Sequence, residues 1–83
     1  MDDEAFFEDC VRTQKFPLKG EKQTVILRRL MRLFPEEVYR EVIVNEILGE
    51  HFEDVMSVRK ALEQQGFMER HPERFEYVVK KRV

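Results

Sequence analysis

The sequence predicts a mainly helical α+β domain. Three packed helices are followed by a C-terminal β-hairpin and preceded by a short helical extension. Apolar residues recur at helical spacing in three successive segments. Apolar and polar residues then alternate in "FMER" and "FEYVVKK", on either side of "HPER". The composition agrees: 83 residues, 42% hydrophobic, with three glycines and three prolines, describe one compact domain and neither a disordered tail nor an all-β sandwich.

In the extension, Phe6 and Cys10, and Phe7 and Val11, are i, i+4 pairs, so residues 3–12 form a short amphipathic helix with acids in its first turn. "TQKFPLKG" breaks it at Pro17 and Gly20. Residues 21–34 give the clearest helix. Ile26, Leu27, Leu30, Leu33 and Phe34 share one face, and Lys22, Arg28, Arg29 and Arg32 share the opposite one, until Pro35 stops it. "EEVY" is a connector with room for a short strand. Residues 40–51 form the second helix, with Val44, Ile47, Leu48 and the following Phe52 as its buried stripe, and Gly49 inside the pattern weakens its C-terminal boundary. Asp54 caps a third helix that turns Val55, Val58 and Leu62 inward and Met56, Ser57, Lys60 and Gln64 outward. Gly66 supplies a left-handed stop. Phe67, Phe75, Tyr77 and Val79 then suit the buried side of a hairpin turning near Pro72.

Three helices and a hairpin, with the second and third helices joined by the short "FE" link, make a winged helix-turn-helix. Residues 1–20 are its N-terminal extension and residues 21–83 the winged-helix-like domain, in a single compact unit.

Charge is segregated beneath a formal net of −2. Residues 1–9 carry five acids and no base. Residues 12–32 carry seven bases against Glu21 alone. Residues 59–83 carry seven bases, Arg82 among them, against four acids. A pI near 5.7 argues against a strong sequence-independent grip on nucleic acid, while the local basic stretches leave room for an oriented one. No apolar run is long enough to span a membrane. The acidic "MDDEAFFEDC" is the opposite of a secretory signal, and one cysteine cannot form an internal disulfide. A reduced, cytoplasmic setting is expected.

Residues for chemistry are sparse. His51, His71 and Cys10 lie far apart and show no metal-ligand spacing. There is no phosphate-cradling glycine loop. Ser57 is the sole serine, with no histidine near it in sequence. Cys10, among apolar and acidic neighbours, reads as an inert core thiol. The sequence points away from an enzyme and to no cofactor, metal or small-molecule site.

The candidates for nucleic-acid contact are Ser57, Lys60 and Gln64 on the third helix, Arg70 and Arg74 on the wing, and Lys19 in the loop before the first core helix. The basic face of that first helix is either a phosphate contact or a solvated surface that balances the acidic N-terminus. Met56, Val42 and Ile43 are equally suited to a protein interface.

Several of these segments, "FPLKGEKQTVILRRL", "YREVIVNEIL" and "FEDVMSVRKALEQQGFMER", followed by Tyr77, resemble a bacterial domain family of unknown function. Its members occur alone or attached to helix-turn-helix transcription regulators. Pro17, Lys19 and Lys22 match its first block. Tyr39, Glu41, Val44, Asn45 and Leu48 match its second, the most specific. Asp54, Arg59, Leu62, Gly66, Arg70 and Tyr77 match its third. The resemblance covers roughly residues 14–79. It departs at Val58-Arg59-Lys60, where the family has Leu-Arg-Arg, and at Ile43, where it often has an acid. The wing also lacks the family's glycine turn and tryptophan.

The resemblance implies a winged-helix-like domain associated with transcription regulation. Tyr39, Glu41, Asn45, Asp54, Arg59 and Gly66 are then motif residues. Arg59 and Asn45 either line a recognition surface or brace the fold, with Arg59 paired to Glu41; their positions beside the core stripes favour bracing. Two functions are expected to compete: DNA binding through helix 54–65 and the wing, or a protein-interaction or homodimerisation module on the same fold.

Overall fold

The computed structural model describes residues 3–81; Arg82, counted among the bases of residues 59–83, lies outside the described residues. The described chain is mixed α+β and mainly helical. Its elements run α1 (Asp3–Thr13), α2 (Gly20–Leu30), β1 (Val38–Arg40), α3 (Glu41–Gly49), α4 (Val55–Gln64), β2 (Met68–His71) and β3 (Glu76–Val79). The strands form one antiparallel sheet in the order β1-β3-β2.

The helices form where the apolar spacing places them, and they share one core. Ile26, Leu27 and Leu30 of α2, Val44 and Leu48 of α3, and Val58 and Leu62 of α4 are fully buried. Each such side chain contributes about 1.5–3 kcal/mol by leaving water. α1 belongs to the same core through Phe7 and Cys10, and the Phe7 ring meets Phe52 edge-on at 6.4 Å. Arg29 ties the two helices together. Its Nε and Nη2 donate to the two carboxylate oxygens of Glu4 at 2.5 and 2.9 Å, and its guanidinium lies 4.6 Å from the Phe7 ring centre. Part of the basic face of α2 is therefore covered by the acidic extension.

Four features differ from expectation, one being that α3, expected over residues 40–51, ends at Gly49. α2 ends at Leu30 and tightens into a 3-10 turn over Met31–Leu33. Pro35 disfavours helical geometry at Phe34, which is buried all the same. The "EEVY" connector holds a true strand, and Arg40, expected in the second helix, belongs to that strand with ψ 145°. Pairing Tyr39 with Tyr77 in the register buries the Tyr39 ring against Phe34. Phe75, expected on the buried side of the hairpin, is 68% exposed. A 3-10 turn over Pro72–Arg74 uses up the chain before it, and Phe75 closes that turn in the left-handed region at φ 53°. The strand alternation therefore restarts only at Glu76.

α4 ends as Gly66 predicts. Gly66 takes φ 76°. Its N–H donates to the Glu63 carbonyl, and the Phe67 N–H donates to the Leu62 carbonyl, which is the Schellman pattern.

The sheet has two distinct faces. Tyr39, Met68, Arg70, Tyr77 and Val79 alternate toward the helices. Val38, Arg40, Glu69, His71, Glu76 and Val78 alternate away from them.

Candidate functional site

The polar centre of the molecule is the Arg59 side chain. α4 carries it between α3 and the inner face of β3. Its Nε donates to the Tyr77 hydroxyl at 2.8 Å, Nη1 to Asn45 Oδ1 at 3.1 Å, and Nη2 to Glu41 Oε1 at 2.5 Å. The planar guanidinium thus joins three elements at fixed angles. Arg70 of β2 approaches the same Glu41 carboxylate at 3.1 Å, and the Tyr77 hydroxyl donates to Glu63 at 3.3 Å. The Arg59 and Glu41 side chains are only 12% and 17% exposed. Hydrogen bonding from Arg70, helped by the charge of Arg59, holds the Glu41 carboxyl below the usual range. Burial pushes the Tyr77 phenol up, against the pull of Arg59.

Asp54 sits at the head of α4. Oδ1 accepts from the Ser57 N–H at 3.2 Å and Oδ2 from the Ser57 hydroxyl at 2.6 Å. Those two bonds hold its carboxyl below the ordinary value. Tyr39 acts close to home in the chain, where its hydroxyl accepts from the Glu36 N–H at 2.7 Å.

The remaining candidates fall in different places. Lys60 and Gln64 are exposed on the outer side of α4 and make no hydrogen bond or ion pair among the described residues. Ser57, half-buried beside them, gives its hydroxyl proton to Asp54. Arg70 is turned inward onto Glu41. Arg74 is exposed at the wing tip, with Nε 3.4 Å from Glu76. Lys19 precedes α2, whose first turn is fixed to the C-terminal end of α4: Gln65 Nε2 donates to Gln23 Oε1 at 2.5 Å, and the Thr24 hydroxyl donates to Gln65 Oε1 at 2.7 Å. The structure therefore groups Ser57, Lys60 and Gln64 on one surface, turns Arg70 onto Glu41 and puts Arg74 at the wing tip, while Lys19 precedes the α2 turn that is bonded to Gln65 at the end of α4.

Gln14 is a structural residue that sequence reasoning missed. Held at φ 57°, it donates from Nε2 to the carbonyls of Val11 and His51 and accepts at Oε1 from the Glu53 N–H. It clamps the end of α1 to the α3–α4 link, and a lone glutamine in a loop gives no sequence signal for that. The Gln23–Gln65 pair is equally silent in sequence.

Beside the Arg59 centre lies an open cleft of about 450 Å³, lined by Arg40, Glu41, Val42, Asn45, Arg74 and Phe75. Among the described residues, no group of three His, Cys, Asp or Glu side chains could hold a metal ion. Nor is any helix among them long and apolar enough to cross a membrane.

Comparison with known proteins places the chain by its sequence. Residues 12–79 match the model of a family described as an uncharacterized protein conserved in bacteria (DUF2087). No curated protein and no solved structure matches the chain.

Proposed function

The chain belongs to this bacterial family, and on that premise we propose that it is a winged-helix DNA-binding module of the transcription-regulator type, reading duplex DNA with α4. The observation that carries the reading is the open side of α4. This helix buries Val58, Ala61 and Leu62, while Met56, Lys60 and Gln64 project from its other side, with no hydrogen bond or salt bridge to either polar group among the described residues. The surroundings suit that role. α3 and α4 follow one another across a short link, the order that a helix-turn-helix takes, and the β2–β3 hairpin comes next in a sheet ordered β1-β3-β2. The Arg59 centre fixes the angle between α3, α4 and the hairpin, so the reading helix is presented rigidly.

The roles follow from chemistry. Gln64 has the paired donor and acceptor that suit an adenine edge. Lys60 suits a phosphate or a guanine edge, and Arg74 meets a phosphate once it leaves Glu76. Arg70 stays with Glu41 and acts by positioning. Two phosphate contacts per copy give weak, salt-sensitive binding with a log–log slope of about −2.

The test is fluorescence anisotropy with a mixed-sequence duplex, from low to physiological salt. Micromolar binding with that slope, reduced by about 1 in Lys60→Ala, supports the reading. No binding at low salt overturns it.

A further inference from the structure

The outer face of the sheet and the wing tip carry a surface of which the DNA reading uses only Arg74. In the register, Val38 lies beside Val78, and Arg40 beside Glu76. Beyond that pair, Val42 and Phe75 line the cleft at the head of α3. Val38, Val42 and Phe75 are 48%, 56% and 68% exposed. The apolar side chains thus make a stripe interrupted by the stem of Arg40. We propose that this stripe is the contact surface for a second copy of the chain, in a two-fold dimer with Phe75 at its centre.

Three observations support a second copy as the occupant. First, the surrounding charges balance. Arg40, Arg74 and Lys80 stand against Glu69, Glu73 and Glu76. A balanced rim, in which Lys80 already pairs with Glu69 and Arg74 with Glu76, gives no advantage to a polyanion such as DNA and does not repel a second copy of itself. Second, Arg40 has no ion-pair partner among the described residues, although it stands at the middle of the stripe, where an acid from the wing of the other copy meets it. Third, Phe75 is 68% exposed, and its backbone is fixed at φ 53° by its N–H donating to the Pro72 carbonyl and its carbonyl accepting from the Glu41 N–H, so the ring is presented rigidly. A large aromatic group held rigidly in water suits the role of an interface anchor that enters a pocket. The cleft beside Val42 in the other copy is that pocket.

The inference is independent of whether α4 reads DNA, so it is tested without DNA. Sedimentation velocity of the full chain from about 10 µM to 1 mM is expected to show a reversible dimer, weak because the patch is small. Concentration-dependent amide shifts are expected at Val38, Arg40, Val42 and Phe75. Phe75→Gly and Arg40→Glu are each expected to weaken the dimer about tenfold or more, as loss of a central anchor does. Phe75→Gly suits the left-handed turn, so it keeps the thermal midpoint and separates lost association from lost folding. Lys60→Ala is expected to leave the dimer unchanged. A monomer up to about 1 mM overturns the proposal, as does a dimer that survives Phe75→Gly or dissociates in Lys60→Ala.

Discussion

Arg59 and Glu41 lie 18 residues apart and meet at 2.5 Å across the junction of α3 and α4. The bond is one prong of a guanidinium that also holds Asn45 and Tyr77. Truncating Arg59 leaves a carboxylate, an amide oxygen and a phenol without that donor in a half-buried site beside the cleft. Arg59→Ala is expected to lower stability by about 2–4 kcal/mol in urea unfolding. Arg59→Lys keeps the charge but not the planar fork, and should recover only part of the loss. An unchanged midpoint for the alanine variant would show that the junction is held by apolar packing alone.

Glu41 gives the fold an acid sensitivity of known sign. Its folded carboxyl titrates below the ordinary 4.5. As pH falls, the unfolded chain takes the proton first. The stability Glu41 contributes is full above about 4.5 and disappears as pH drops through the folded value. Asp54 behaves in the same direction, so the difference between wild type and Glu41→Gln isolates Glu41. Stability measured between pH 7 and pH 3 should show a gap that narrows on acidification, and a constant gap would refute the linkage.

Gly66→Ala tests the α4 stop. An added methyl group meets only the Lys81 side chain, at an ordinary 3.7 Å, so crowding is not the issue. The cost comes from φ 76°, and about 1 kcal/mol is expected in thermal or urea unfolding.

Gln14→Ala removes three hydrogen bonds that join α1 to the α3–α4 link. A loss of about 1–2 kcal/mol is expected, with faster amide exchange in α1 as the specific signature. Gln14→Gly relieves the backbone while losing the same bonds. Equal effects from the two variants would assign the cost to the clamp.

Periodicity made the core legible. Ile26, Leu27, Leu30, Val44, Leu48, Val58 and Leu62 are buried where helical spacing put them, because burying one stripe is what holds a short helix in a small domain. Local chemistry made the caps legible too: Asp54 accepts from Ser57, and Gly66 turns left-handed. The site was legible only as candidates. Spacing placed Lys60 and Gln64 outside α4, but Arg70 resembled them in type and turned inward. Its direction depends on the pairing of β2 with β3 and on where the Glu41 carboxylate stands, and neither is local.

The helices, their buried stripes, the Gly66 stop and the presence of a hairpin were readable from the residues alone, because they follow from interactions within a few positions. Folding in three dimensions was needed to bring β1 to that hairpin, to lay Glu4 over Arg29, to gather Glu41, Asn45 and Tyr77 around Arg59, and to leave Phe75 in solvent. Those contacts join residues distant along the chain. Their geometry is set by how the whole core packs and how the strands register, which no single segment contains.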